Sequence, residues 1–121
     1  MKHKSKGRLF LFQWDQASAT QRADELSAAG WEVAFEHEDG ARGGKAALAM
    51  QPDVIVFDLA KRSSHSRETA NGIQGTKAGR GLKMVFVDGA DGNLEKTKKK
   101  VTGGVYTTSA KLLKTLDELA K

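Results

Sequence analysis

Three aspartates and a run of cations hold most of the chemistry available to this chain. Asp58 closes the stretch "PDVIVFDL", Pro52 to Leu59, an apolar run that opens on a proline and ends on a carboxylate. A run of this kind reads as the central strand of a parallel sheet, buried on both faces. In such sheets, ligand and reaction sites lie beyond the carboxyl ends of the strands. A carboxylate placed there needs a counter-charge or hydrogen-bond donors. Lys61, Arg62, His65 and Arg67 all follow Asp58 within nine residues. One of these cations, or the N–H groups of their loop, is expected to satisfy it. The alternative neutraliser is a divalent ion with oxygen ligands, for which Asp15 and Asp58 are candidates and Asp88 a third acid.

Other motifs carry less. "GARGGKAALAMQPDVIVFD" imitates a phosphate-binding loop followed by a strand, but Asp39 holds its first glycine position and Ala46 follows Lys45 where a hydroxyl is needed. Ser18 and Thr20 offer hydroxyls to a phosphate at a helix start, although Ser18 and Gln21 have capping-box spacing, and capping explains them better. Glu36, His37, Glu38 and Asp39 are metal-capable, yet four consecutive side chains do not converge on one ion, and a solvated turn is expected. Lys96, Lys98, Lys99 and Lys100 make one helix basic. Such a face suits an acidic protein partner or nucleic acid, although no aromatic residues interleave with the lysines to stack bases. Trp14, at a strand end, is expected to plug the space an ion would occupy.

The elements that must position these groups follow from periodicity and punctuation. Strands are predicted over Arg8–Trp14, Trp31–Glu36, Pro52–Leu59, Leu82–Val87 and Val105–Thr108. Helices are predicted over Ser18–Ala29, Lys45–Met50, Ser66–Lys77, Asn93–Val101 and Ser109–Lys121, the last with Leu112, Leu116 and Leu119 on one stripe. Residues 1–7 read as a flexible basic lead-in and residues 8–121 as a single domain, expected to stand alone. Strict strand–helix alternation implies an α/β doubly wound parallel sheet with helices on both faces. Among 121 residues there is no cysteine, which leaves no disulfide or thiol chemistry, and no apolar run long enough to span a bilayer. A cytoplasmic location is expected. Charge is uneven: residues 1–60 carry 7 basic and 9 acidic side chains, and residues 61–121 carry 13 and 6.

Taken together, the chain resembles the receiver domain of bacterial response regulators. The likeness rests on "PDVIVFDL", with Asp58 in the phosphoacceptor place, and on "AAGWEV", Ala28 to Val33, at the end of the first helix and start of the second strand. It implies a flavodoxin-like sheet of strand order 2-1-3-4-5 and a role in two-component signal transduction. It also implies a Mg²⁺ ion held by two adjacent acids after the first strand. Here those places hold Gln13 and Trp14, with Asp15 next. The family's hydroxyl residue after the fourth strand falls on Asp88, and the lysine ending the fifth falls near Thr107 or Thr108. Only the acceptor matches. The resemblance is thus to a pseudo-receiver that acts through protein partners, as monomer or homodimer, without an enzyme's activity and without a cofactor. Two alternatives stand beside it: a phosphorylatable receiver using Mg²⁺ with an atypical cluster of Asp15, Asp58 and Asp88, and a nucleic-acid-binding module.

Overall fold

A computed structural model describes residues 5–120. In chain order the elements are β1 (Arg8–Phe12), α1 (Gln16–Ala28), β2 (Glu32–Glu36), α2 (Gly40–Met50), β3 (Val54–Asp58), α3 (Ser63–Gln74), β4 (Lys83–Val87), α4 (Asp91–Lys100), β5 (Val105–Thr107) and α5 (Leu112–Leu119), the last preceded by a 3₁₀ turn at Ser109–Lys111. The five strands form one parallel sheet in the order β2-β1-β3-β4-β5. This is the doubly wound α/β sheet expected from the strand–helix alternation, in the flavodoxin-like order that the receiver resemblance implies.

The sheet is buried on both sides, and the strand period of two sorts its side chains. Phe10, Phe12, Ile55, Phe57, Met84 and Phe86 pack with Ala47 of α2, Ala70 and Ile73 of α3, and Val101. Leu9, Leu11, Val54, Val56, Val85 and Val87 pack with Ala23 and Leu26 of α1 and with Leu112 and Leu116 of α5. On the first face the register aligns Phe12, Phe57, Phe86 and Tyr106 across four strands. Their rings stack with centroids 5.0, 5.2 and 5.1 Å apart, close to the spacing of neighbouring strands.

Several boundaries differ from the sequence reading, each for a local reason. α1 starts at Gln16 because Asp15, not Ser18, is its cap: the Asp15 carboxylate accepts from the Ser18 backbone N–H at 3.0 Å. α2 starts at Gly40, five residues before Lys45, capped by Asp39, whose side chain accepts from the Arg42 N–H. Gly40, Gly43 and Gly44, which precede the helix expected from Lys45, lie inside α2. A Cβ on Gly43 would stand 2.5 Å from the Phe12 ring and 2.8 Å from Cβ of Glu36, so glycine lets α2 press against the sheet. The imitation phosphate loop is therefore the first turn and body of a packed helix. α3 begins at Ser63 and ends at Gln74, with Gly75 as its cap, and α4 begins at Asp91. Of the expected lead-in, residues 1–4 lie outside the described residues. Within it, the Lys6 N–H donates to the Gly30 carbonyl at 2.8 Å, and the Lys6 ammonium lies 2.9 Å from Asp117.

Candidate functional site

At the carboxyl edge of the sheet a cleft of about 310 Å³ is lined by Gln13, Ser18, Arg22, Asp58, Lys61, Asp88 and Ser109, among others. β3 delivers Asp58 into it, with a side chain only 5% exposed. One Asp58 carboxylate oxygen accepts from the Ala60 N–H at 2.8 Å. The other lies 3.7 Å from Nη2 of Arg22. The same Nη2 lies 3.7 Å from Oδ2 of Asp88 and donates to Oγ of Ser109 at 2.7 Å. Asp88 closes the far side: its carboxylate accepts from the Ser109 N–H at 2.7 Å and from the Ser109 hydroxyl. Asp88 holds this pose with φ of 58°, a left-handed conformation that aspartate tolerates better than most residues.

The cation serving Asp58 is therefore none of the four that follow it in sequence. Lys61 turns to Asp15, its ammonium 3.4 Å from the carboxylate. Arg62 sits at the head of α3 with φ of 49°. His65 lies on the indole of Trp14, ring centroids 3.9 Å apart. One guanidinium nitrogen of Arg67 is buried without a hydrogen-bond partner. Arg22 replaces them all. Its signal was present: on a helix, position 22 lies three residues past Ala19 and four before Leu26, beside the inward stripe of α1. Because α1 starts at the carboxyl end of β1, its first two turns overhang the strand ends. An arginine there reaches the site.

Gln13, Trp14 and Asp15 do not form a ligand set. The side-chain carbonyl of Gln13 accepts from the Asp15 N–H at 2.9 Å. Trp14 does not plug the cleft. It packs on the Phe12 face of the sheet, and its indole N–H donates to Ser66 Oγ at 2.8 Å. Ser66 in turn donates to the backbone carbonyl of Asp58 at 2.8 Å, tying α3 to the end of β3. Asp15 caps α1, and its carboxyl is held below the usual range first by the Ser18 hydroxyl and then by the Ser18 N–H. Thr108 lies outside the cleft lining, while Thr107 pairs with Thr115 of α5 at 2.9 Å.

This donor set does not fit a magnesium ion. Two of the three positions after β1 are committed to their own backbone and core, and a fixed positive charge stands between the remaining carboxylates. Among the described residues, no three His, Asp or Glu side chains are grouped to hold a metal. The lysines are likewise spoken for in part. Lys100 pairs with Glu68 of α3 at 2.7 Å, and the Lys98 ammonium lies 5.2 Å from the centre of the Tyr106 ring on β5. Lys96 and Lys99 are exposed. A separate groove of about 380 Å³ runs between α2 and α3, walled by Gly44, Leu48, Gly72 and Ile73. None of the cleft's charged cluster reaches it.

Solved structures share this architecture from end to end. A response-regulator signal receiver domain from Bermanella marisrubri matches with a TM-score of 0.76 at 21% identity, covering 98% of this chain and all of that one. The chain has a receiver fold. Likewise, a chemotaxis response regulator of Vibrio cholerae matches with a TM-score of 0.74 at 17% identity, over 97% of this chain and 99% of that one. The receiver domain of a sensor histidine kinase from Pseudomonas aeruginosa PAO1, solved with a magnesium ion in its active-site cleft, matches with a TM-score of 0.76 at 16% identity, over 94% of this chain and 97% of that one. No family model and no curated protein matches the sequence. Among the described residues no helix is long and apolar enough to cross a membrane.

Proposed function

We propose that this chain is a cytoplasmic, receiver-like signal-transduction domain that works by binding other proteins, without conventional magnesium-dependent phosphorylation of Asp58. The observation that carries the reading is what happened to the acid pair. Gln13 and Trp14 stand in its place, one spent on the Asp15 N–H and the other turned into the opposite core. A phosphoryl transfer in water needs its charge neutralised at that spot. Support for a protein partner comes from the exposed cations Lys96 and Lys99 on α4 and Lys61 and Arg62 before α3.

Intact-mass measurement after incubation with Mg²⁺ and acetyl phosphate tests the first half of the proposal. No mass gain is expected, and beryllofluoride should leave the thermal midpoint unchanged. A gain of one phosphoryl group, absent in Asp58→Asn, would overturn the reading in favour of a phosphorylatable receiver. In that reaction the phosphoryl group leaves acetate and bonds to an Asp58 oxygen. For the second half, paired reversal of Lys96 and Lys99, or of Lys61 and Arg62, to glutamate should weaken binding of a protein partner. Binding to duplex DNA whose log affinity falls, for each tenfold rise in salt, by about 0.9 per phosphate neutralised would instead favour the nucleic-acid reading.

A further inference from the structure

We infer that the Arg22 guanidinium is the resident counter-ion of the Asp58–Asp88 cleft and that it bars divalent cations from it. This goes beyond the functional reading above, which needs only the altered pair at positions 13 and 14.

Arg22 is placed as an internal cation, not as a surface residue that happens to touch an acid. Its side chain is only 13% exposed, and three carboxylates surround it. Nη2 is 3.7 Å from an oxygen of each of Asp58 and Asp88, while Nη1 is 3.5 Å from Glu25. Neither central carboxylate is close enough for a direct hydrogen bond, so the attraction is one of charge through a shared position. What fixes that position is Ser109, which accepts from Nη2 at 2.7 Å while donating to Asp88. Among the described residues, the only other cation lining the cleft, Lys61, is paired with Asp15.

The donors around the guanidinium are carboxylates and a hydroxyl, the hard oxygen set that divalent ions such as Mg²⁺ and Mn²⁺ prefer. An ion entering there would meet a positive charge that cannot leave by deprotonation. The bar is electrostatic and permanent. Arg22 also joins α1 to the ends of β3 and β4 and to the turn before α5.

Removing the charge should therefore let the paired carboxylates of Asp58 and Asp88 attract a hydrated divalent ion, although no third acid is grouped with them among the described residues. The experiment titrates Mn²⁺ into the full chain, reading free ion by electron paramagnetic resonance and fold by circular dichroism, with thermal melts in parallel. Wild type and Arg22→Lys should show no saturable binding and no melt shift. Arg22→Gln and Arg22→Ala should bind at least about tenfold more tightly, given the size of charge–charge terms at this range. They should also melt higher with Mn²⁺ and lose both effects when Asp58→Asn is added. Two neutral variants are used so that one that fails to fold leaves the other. Wild type binding Mn²⁺ as tightly as either neutral variant, or a folded Arg22→Gln gaining no affinity, would overturn the inference. The outcome is independent of the acetyl phosphate assay, on which the functional reading stands or falls.

Discussion

Gly43 and Gly44 are neighbours in α2, and alanine at the two positions should move stability in opposite directions. In a helix interior, replacing glycine by alanine gains about 1 kcal/mol from backbone propensity. A Cβ on Gly44 meets only Cγ1 of Ile73, at 3.7 Å, an ordinary contact, so Gly44→Ala should keep that gain. A Cβ on Gly43 would stand 2.5 Å from the Phe12 ring, 2.7 Å from Cγ of Glu36 and 2.8 Å from its Cβ. Phe12 has nowhere to go. It is fully buried, with the rings of Phe10 and Phe57 each centred 5.0 Å away. Overpacking of this kind costs about 1–3 kcal/mol, which cancels the propensity gain and more. The two variants should then differ by about 2 kcal/mol in urea unfolding, or about 1 M in midpoint with an unchanged slope. Midpoints that rise together would show that α2 does not press on β1 and β2, and would refute this account of the glycine-rich segment.

Other elements offer sharper local tests. Glu36 accepts from Arg42 at 2.9 and 2.7 Å and from the N–H groups of Glu38 and Asp39, and the Arg42 guanidinium, first among these, holds its carboxyl down to about 2. A depressed carboxyl stabilises the fold above the ordinary value of 4.5, and that stability is lost as pH falls toward about 2. Since the Arg42 side chain is 61% exposed, solvent screening reduces the effect to about 1 kcal/mol, and Glu36→Gln should flatten the acid limb of a stability–pH curve by that amount. Ser66→Ala leaves the buried Trp14 indole N–H unpaired and should lower stability by about 1–3 kcal/mol; an unchanged urea midpoint would remove Ser66 from the link to Asp58. Asp39→Ala should cost about 1 kcal/mol by uncapping α2, with Asp39→Asn restoring it, as chemical denaturation will show.

Much of the fold was written in local pattern. The run from Val54 to Asp58, the alternation of strands with helices, and the leucine stripe of α5 depend on residues adjacent in sequence or one turn apart, and they predict the doubly wound sheet directly. The misplaced starts of α1 and α2 have one cause. A capping carboxylate and a helical glycine look like turn residues until the surface they pack against is known. Gly43 is the clearest case, since its need for a missing side chain lies in Phe12 and Glu36, on two other elements.

Asp58 was legible as an acid at the carboxyl edge of the sheet, where the cleft lies, because the apolar run that precedes it reads as a central parallel strand. Its neutraliser was not. Proximity in sequence favours Lys61, Arg62, His65 and Arg67, but the chain turns into α3 within a few residues, which sends Lys61 to Asp15, Arg62 to the helix head and His65 to the Trp14 ring, and buries an Arg67 nitrogen away from Asp58. By itself the sequence determined the strands, the helices and the acid at the sheet's edge, all consequences of short-range periodicity. Only the tertiary structure decided which cation faces that acid. Arg22 lies thirty-six residues upstream of Asp58, and it reaches the acid because its long side chain extends from α1, beside β1 and β2, to the carboxylates at the ends of β3 and β4.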